Sequence, residues 1–448
     1  MQFVTDYRTE RYVLDTLWED LPQEVQSYAR MCGVDLMCAL VLGSRSRQFA
    51  AGQRLIQSLG GLPGDVPAVG SRSTYNLLGA AISMGHSSNA FDIDDGFRAI
   101  CGHPGTSFVG GVLAAALSKD VTYREYLTTL TVCYEISIRW ALTMQEHYQY
   151  LHSTGAYGAF GTAAGVGRLL GLDGAQLNNA LSVADFHAPM TPVMRAVEYP
   201  SMNKDGVPFG VMTGVMAVLE TLSGTTGRTH LLEMPAYAAQ LDSLGSVYHI
   251  KDLYFKPYTC CRWAHQPILA CQMLMQAHGF DHRRIASVTV HTFSAAARLS
   301  KIEPHSTDEA QYNIAFPVAS ALVFGDVGYE QVREEALSNP DVLSLMRRLS
   351  FVVDPALEAQ FPARRLAWIE ICLTDGTVHT SPVCEAPGEP EDPALGPDWI
   401  AAKFRRVTAP VLLTSAQDGL LNMLSEPGER PVREVVAAVN AALRLPAV

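Results

Sequence analysis

Residues 88–105, SNAFDIDDGFRAICGHPG, decide how the rest of the chain is read. Three carboxylates, Asp92, Asp94 and Asp95, fall within four residues, and His103-Pro104-Gly105 follows a short loop. The stretch before them, from Thr74 to Ala90, is small and apolar (LLGAAISMGHSSNA) and predicts a close-packed helix. Acids at the end of a buried helix are costly to desolvate unless each finds a partner. Taken alone, the stretch fits either solvated acids at an exposed helix end or a buried acid–histidine site. The surrounding sequence has to decide.

At 448 residues the chain is longer than one hydrophobic core usually organises, which predicts two domains. Apolar residues make up 48% and charged residues 17%, a composition that buries a core and excludes a disordered chain. A formal charge of −12 argues against a nucleic-acid or anionic-membrane partner, but not against a small anion in a locally basic pocket. The opening MQFVTDYRTERYVLDTLWEDLP lacks the basic start and apolar core of a signal peptide. No stretch reaches the roughly 18 uninterrupted apolar residues of a membrane span. The nine cysteines are scattered and mostly apolar in context (Cys32, Cys38, Cys133, Cys271, Cys372), as reduced thiols are. The expectation is a soluble, cytoplasmic protein.

From Asp6 to Gly60 apolar residues recur every three or four positions, which is helical periodicity. Gly60-Gly61-Leu62-Pro63-Gly64-Asp65 breaks it, and Ser71–Thr74 reads as the cap of the next helix. Helices are predicted after His103-Pro104-Gly105 and from Tyr123 to Met144. In 152–177, HSTGAYGAFGTAAGVGRLLGLDGAQL, glycines at 155, 158, 161 and 165 predict a face that packs closely on a neighbour. With no strand before it and no Walker lysine, this run is not a nucleotide loop. Lys204 falls in the broken loop RAVEYPSMNKDGVPFG ahead of an apolar helix, a place that suits either an anion site or a solvated lysine. Beyond His265 the pattern changes. Ile285–Phe293 and Ala367–Leu373 alternate as strands, the second turning through Asp375-Gly376 into a hairpin. Ala310–Val323 and Tyr329–Leu349 are helical in pattern, APGEPEDPALGPD reads as a linker, and Trp399–Leu443 returns to helix.

Polar residues gather beside apolar helices at five places: the aspartates with His103, His152, Lys204, Lys256, and Arg262 with His265. A metal could draw on Asp92, Asp95, His86 and His103, or on Cys260, Cys261 and His265, but no CxxC pair supports zinc. GxSxG and GxGxxG are absent, which removes the usual hydrolase and dinucleotide readings. Cofactor-free acid–base chemistry beside a carboxylate remains. Aspartates and histidines can move the proton, while Lys204, Lys256 and Arg262 can hold negative charge.

Five blocks carry a resemblance: DIDDGF…GHPGTS, HSTGAYGAFGTAAGVGRLLGLD, MNKDGVPFG, FKPYTCCRWAH and EAQYNIAFPVA. In order and spacing they resemble the MmgE/PrpD family, which includes 2-methylcitrate dehydratase, cis-aconitate decarboxylase and iminodisuccinate epimerase. The resemblance implies a mainly α fold, with a large all-helical domain from both chain ends (1–265 and 395–448). It implies a smaller α+β lid domain (266–394), a homodimer, no cofactor or metal, and a pocket for a small di- or tricarboxylate. By the same resemblance the active-site aspartate falls on Asp92 and the histidines on His103 and His152. The substrate lysines fall on Lys204 and Lys256, assisted by Arg262, with Asp95, Cys261 and Phe316 as further substrate contacts. Cys261 stands where decarboxylases have histidine, Phe316 where the family has its pocket tyrosine, and Gly96 where dehydratases and decarboxylases have threonine. Lys204-Asp205-Gly206-Val207 replaces Lys-Pro-Leu-His. The leading expectation is dehydration of a 2-hydroxy acid such as 2-methylcitrate, with His103 and Asp92 as the acid/base pair. Epimerisation of an iminodisuccinate-like acid comes next, since the step from Asp92 to His103 with its GHP looks like the epimerase block. Decarboxylation is third. Outside these stand a non-catalytic carboxylate-binding protein and a metal-dependent hydratase.

Overall fold

Helices whose apolar residues run all the way round have to sit inside other helices. Such helices form the centre of this computed structural model, which describes residues 6–148 and 151–444. The outermost residues of the chain-end segments 1–265 and 395–448, and the first five of the opening tested for a signal peptide, lie outside the described residues. Leu77–Gly85, Pro104–Lys119, Tyr123–His147, Thr154–Leu170 and Val207–Leu222 pack against one another, with Phe108, Tyr134, Trp140 and Phe160 fully buried between them.

The glycine-rich helix Thr154–Leu170 makes this packing possible, though not against one neighbour. A Cβ on Gly155 would stand 2.2 Å from the Gly206 carbonyl, whereas one on Gly158 would meet Ser107 and one on Gly161 Ser137. The small face therefore wraps round into three surrounding segments. Gln23–Gly43 is long and apolar enough in composition to cross a membrane, but 78% of its apolar window is buried inside the fold. It packs under the two C-terminal helices Pro397–Thr408 and Thr414–Ser425. From the first of these, Lys403 donates to Asp35 and, at 2.6 Å, to the carbonyl of Ile93 inside the DIDD loop.

The later part of the chain builds a five-stranded sheet with His265–His278 against it and Ala315–Phe324 packed on that helix. Ile285–Thr292 pairs antiparallel with Leu366–Leu373, which pairs with Val378–Thr380 and Cys384–Glu385. On its other side Ile285–Thr292 pairs in parallel with Leu349–Val353.

Several expectations are corrected. Leu349 begins a strand rather than ending a helix; the β-branched run LSFVV forms a mostly exposed edge with no buried alternation to announce it. The helix expected over Ala310–Val323 splits into Thr307–Gln311 and Ala315–Phe324, because the Asn313 side chain accepts from the Phe316 N–H and starts a new cap. Ser71–Thr74 is not the cap: Thr74–Tyr75 pairs with Val66–Pro67, and Asn76 caps Leu77–Gly85 by accepting from Gly79. That helix stops at Gly85, so the aspartates stand in a run of turns rather than on it. The linker is also no free tether, since Glu389 within it is 4% exposed and ion-paired.

Candidate active site

The run of turns after Leu77–Gly85 brings two aspartates onto one imidazole. Asp92 takes a left-handed backbone (φ 53°), a conformation that Asp tolerates better than most residues. Asp94 and Asp95 follow it and are fully buried. His103 caps Pro104–Lys119, with proline in the first turn fixing the entry of the chain. Its Nδ1 lies 2.9 Å from Asp94 Oδ2, and Asp94 Oδ1 accepts from Asn89 at 2.8 Å. Its Nε2 lies 3.7 Å from Asp92 Oδ1.

The Asp94 carboxylate favours one tautomer of His103, against the Lys256 ammonium that also approaches Nδ1. Burial pushes the Asp94 carboxyl up, but His103, Lys256 and the Asn89 hydrogen bond outweigh it and hold the group at about 2. An ionised Asp94 only accepts, so Nδ1 carries its proton toward Asp94 and Nε2 is left as the basic nitrogen. Lys256 is fully buried; burial lowers its pKa, but Asp92 and Asp94 more than reverse this, and it stays an ammonium. Its Nζ lies 3.0 Å from Asp92 Oδ1 and 3.2 Å from His103 Nδ1. Asp92, Asp94 and His103 bring donor atoms within 4.8 Å of one another, the spacing of a metal site. The Lys256 ammonium supplies the positive charge there. Neither expected metal set is assembled as the sequence offered it: in the first, His86 bonds the Ile82 carbonyl and Asp95 bonds Tyr134, with Asp94 standing in the cluster instead, and in the second His265 bonds the Cys260 carbonyl and Arg262.

Asp92 and His103 line a cavity of about 40 Å³, together with Cys261, Arg262 and three groups outside the sequence expectation, Tyr254, Tyr312 and Arg365. Cys101, Asp205, Trp263 and the apolar Val193, Ala196 and Val197 complete it. Burial pushes the Cys261 thiol up to about 12 and raises the Tyr254 and Tyr312 phenols, so all three are neutral at physiological pH.

The remaining expected residues stand back from this cavity or, like Arg262, are engaged by other partners. Asp95 accepts from Tyr134 at 2.5 Å and from the Gly105 N–H at 3.1 Å, securing the start of Pro104–Lys119. Arg262 lines the cavity, but its guanidinium donates to Glu389 at 2.8 Å and to the Pro387 carbonyl at 2.9 Å. Lys204 donates to Gln311 at 2.5 Å, lies 3.8 Å from Asp308 and faces the Tyr312 ring. His152 is buried beside Tyr148 ahead of Thr154–Leu170, its pKa lowered by burial, and is not part of the cavity wall. Phe316 is fully buried within Ala315–Phe324 and does not reach the cavity. Tyr312 does, because the helix break just after it turns its ring inward.

Two departures from the family pattern find physical reasons. A Cβ on Gly96 would lie 2.2 Å from the Tyr254 ring, so Tyr254 fills the space that a threonine needs. Asp205 accepts from both the N–H (2.8 Å) and the hydroxyl of Thr154, capping Thr154–Leu170 from another segment.

Family models match most of the chain: the MmgE/PrpD N-terminal domain matches residues 8–245 and the C-terminal domain residues 258–425. The chain belongs to the MmgE/PrpD family. It is 24% identical to a 2-methylcitrate dehydratase of Cupriavidus necator over 417 residues, 84% of each chain. It is 23% identical to a cis-aconitate decarboxylase-like protein of Aspergillus oryzae over 469 residues, 95% of each chain. With both MmgE/PrpD domains and these relatives, it is an enzyme of the lyase type. The family's N-terminal model contains the whole DIDD loop and His103, while its C-terminal model contains Cys261, Tyr312 and Arg365. Of the missed wall residues, Tyr312 was visible inside the quoted block EAQYNIAFPVA; Tyr254 and Arg365 carry no signal of their own.

Proposed function

We propose that this enzyme removes a proton from the carbon beside a carboxylate of a small di- or tricarboxylate, and that the outcome is dehydration of a 2-hydroxy acid of the 2-methylcitrate kind. The observation that carries the reading is the His103 imidazole, which lines the cavity and is oriented through Nδ1 by ionised Asp94, with Nε2 left without a hydrogen bond as close. In this reading His103 Nε2 takes the proton and the Lys256 ammonium stabilises the charge that develops on the carboxylate. As the double bond forms the hydroxyl leaves, and the imidazolium returns a proton to it as water. Asp92 keeps Lys256 charged and in place. Decarboxylation is less favoured, because Cys261 is a neutral thiol where that chemistry has a histidine. Epimerisation would share the first step and differ only in which face is reprotonated.

A cavity of about 40 Å³ holds only a few waters, on the order of one per 10–15 Å³ in this measure. A tricarboxylate needs more room, which supports an α+β segment that opens and closes over the site as a lid. Exposed apolar side chains, Phe186, Met190, Tyr199, Met202, Phe209 and Met216, border the segment that supplies Val193 and Val197 to the cavity. They favour a homodimer, expected at twice 48.7 kDa by light scattering. Nine free thiols suit a reducing compartment such as the cytoplasm.

Proton NMR in D₂O with citrate-, aconitate-, malate- and aspartate-derived acids tests the chemistry. Deuterium should enter the carbon beside a carboxylate, and an unsaturated product should appear from the hydroxy acid. His103→Ala should lower turnover about 10²-fold or more. Wild-type rates in a folded His103→Ala protein would remove histidine from the mechanism. Binding of an acid without exchange or product would make the protein a carboxylate-binding homologue.

A further inference from the structure

Each cation that the sequence offers for the substrate already has a partner. Lys256 is paired with Asp92, Lys204 with Gln311 and Asp308, and Arg262 with Glu389. Arg365 is different. It stands just before the strand Leu366–Leu373, is 2% exposed, and lines the cavity. Its Nη2 donates to the Arg98 carbonyl at 3.1 Å and lies 3.8 Å from Cys101 Sγ, while its Nε is buried with no hydrogen-bond partner. Among the described residues no carboxylate lies within ion-pairing distance of it; the nearby Glu389 is taken by Arg262 and Arg98.

A charge count around Glu389 says the same. Within this cluster Arg98, Arg262 and Arg365 face only Glu389 and the exposed Glu391, three positive charges against two negative. The Tyr254 side chain, its ring 5.5 Å from the Arg365 guanidinium and its hydroxyl a hydrogen-bond partner, offsets part of the cost of burying it, and Glu389 attracts it from beyond ion-pairing distance, but neither supplies an anion in contact with it. A guanidinium taken out of water without a counter-charge is unfavourable, and its forked donors match a carboxylate.

We infer that Arg365 is the seat of a substrate carboxylate, and that the bound acid supplies the counter-charge the protein withholds. The inference rests on the proposed carboxylate chemistry and moves the anchoring role from Arg262 and Lys204 to Arg365. It also defines the ligand: an acid with one carboxylate on Arg365 and a second beside the carbon that faces His103. Monocarboxylates of similar size should bind poorly.

Isothermal titration with tricarballylate, which has no hydroxyl to lose, tests the inference alongside NMR kinetics with the hydroxy acid. Arg365→Gln should weaken tricarballylate binding about 10- to 100-fold, the scale of a charge-assisted pair. Its KM should rise by a similar factor while kcat stays within a few-fold, and Arg365→Lys should recover part of the loss. The ligand-free Arg365→Gln protein should melt at the wild-type temperature or above it, because an unpaired buried charge has gone. Wild-type affinity in Arg365→Gln, or a lower Tm with unchanged affinity, would overturn the inference and leave the proposed reaction standing. A wild-type enzyme that neither binds tricarballylate nor exchanges deuterium with any acid would overturn both.

Discussion

Asp94 and Asp92 sit two residues apart, yet their surroundings give them different work. Asp94 faces the protonated side of His103 and favours that tautomer; Asp92 faces Lys256. Asp94→Asn keeps the shape of the carboxyl but no longer demands a proton on Nδ1. Its turnover should fall about 10²-fold or more, on the pattern of orienting aspartates elsewhere, with KM little changed. Steady-state kinetics beside a circular-dichroism check of folding would measure it, and an unaffected kcat would dissociate Asp94 from the imidazole. Gly96 makes a second residue-scale case. Gly96→Thr should clash with the Tyr254 ring and cost activity, whereas Gly96→Thr combined with Tyr254→Ala should recover part of what the single change loses. Equal losses in the single and double variants would mean that the two positions do not share space. The sequence displayed Asp92, Asp94, His103, Lys256 and Gly96 but neither their pairing nor the part of Tyr254. DxDD shows three equivalent acids, and only the left-handed turn at Asp92 tells which oxygen meets which nitrogen.

At the scale of elements, the helix Pro104–Lys119 is held at its start by the carboxyl of Asp95 against Tyr134 and the Gly105 N–H. Burial, and then the charge of Asp35, raise the Asp95 carboxyl from 3.8 to about 7. Below about pH 4 it is protonated in both the folded and unfolded chains, and the helix start is at its most stable. Between there and about pH 7 the unfolded chain ionises first, so stability falls as pH rises. Asp35, raised to about 6 with Lys403 opposing, adds to the same window. Wild-type Tm should therefore drop from about pH 5 to about pH 8, and drop less in Asp95→Asn; parallel curves would show that Asp95 is not the group responsible. Helix periodicity made many of these elements legible, including Tyr123–His147, expected to end at Met144. It failed where a short polar residue reset the pattern. Asn313 split one helix and so exchanged Phe316 for Tyr312 in the cavity wall. Leu349–Val353 was hidden for another reason, since an exposed edge strand following a helix without a turn signal shows no alternation.

Over the whole molecule, contacts between distant segments complete the site. Glu389, which reads as linker in sequence, is 4% exposed and binds both Arg262 and Arg98, joining the cavity wall to the loop that carries Cys101. Glu389→Ala would leave Arg262 buried without its partner, a change that typically costs about 3–5 kcal/mol. Chemical denaturation should register it as a lower midpoint, together with a loss of activity; an unchanged midpoint would mean that the carbonyls of Ala386 and Pro387 alone hold the arginine. Such partners escape a reading of the sequence because charge and proline content make a segment look solvated, and nothing local says that two arginines wait for it.

Lys403 reaches the same loop from the far end of the chain, 310 residues after the Ile93 carbonyl it holds. The order of synthesis gives that hydrogen bond a temporal meaning. Leu77–Gly85, Pro104–Lys119 and Thr154–Leu170 pack on one another without Lys403, but the turns bearing Asp92 and Asp94 are pinned by a lysine made 310 residues after Ile93. A chain that stops short of residue 403 can hold these helices and still lack the cation that pins the turns beside its base.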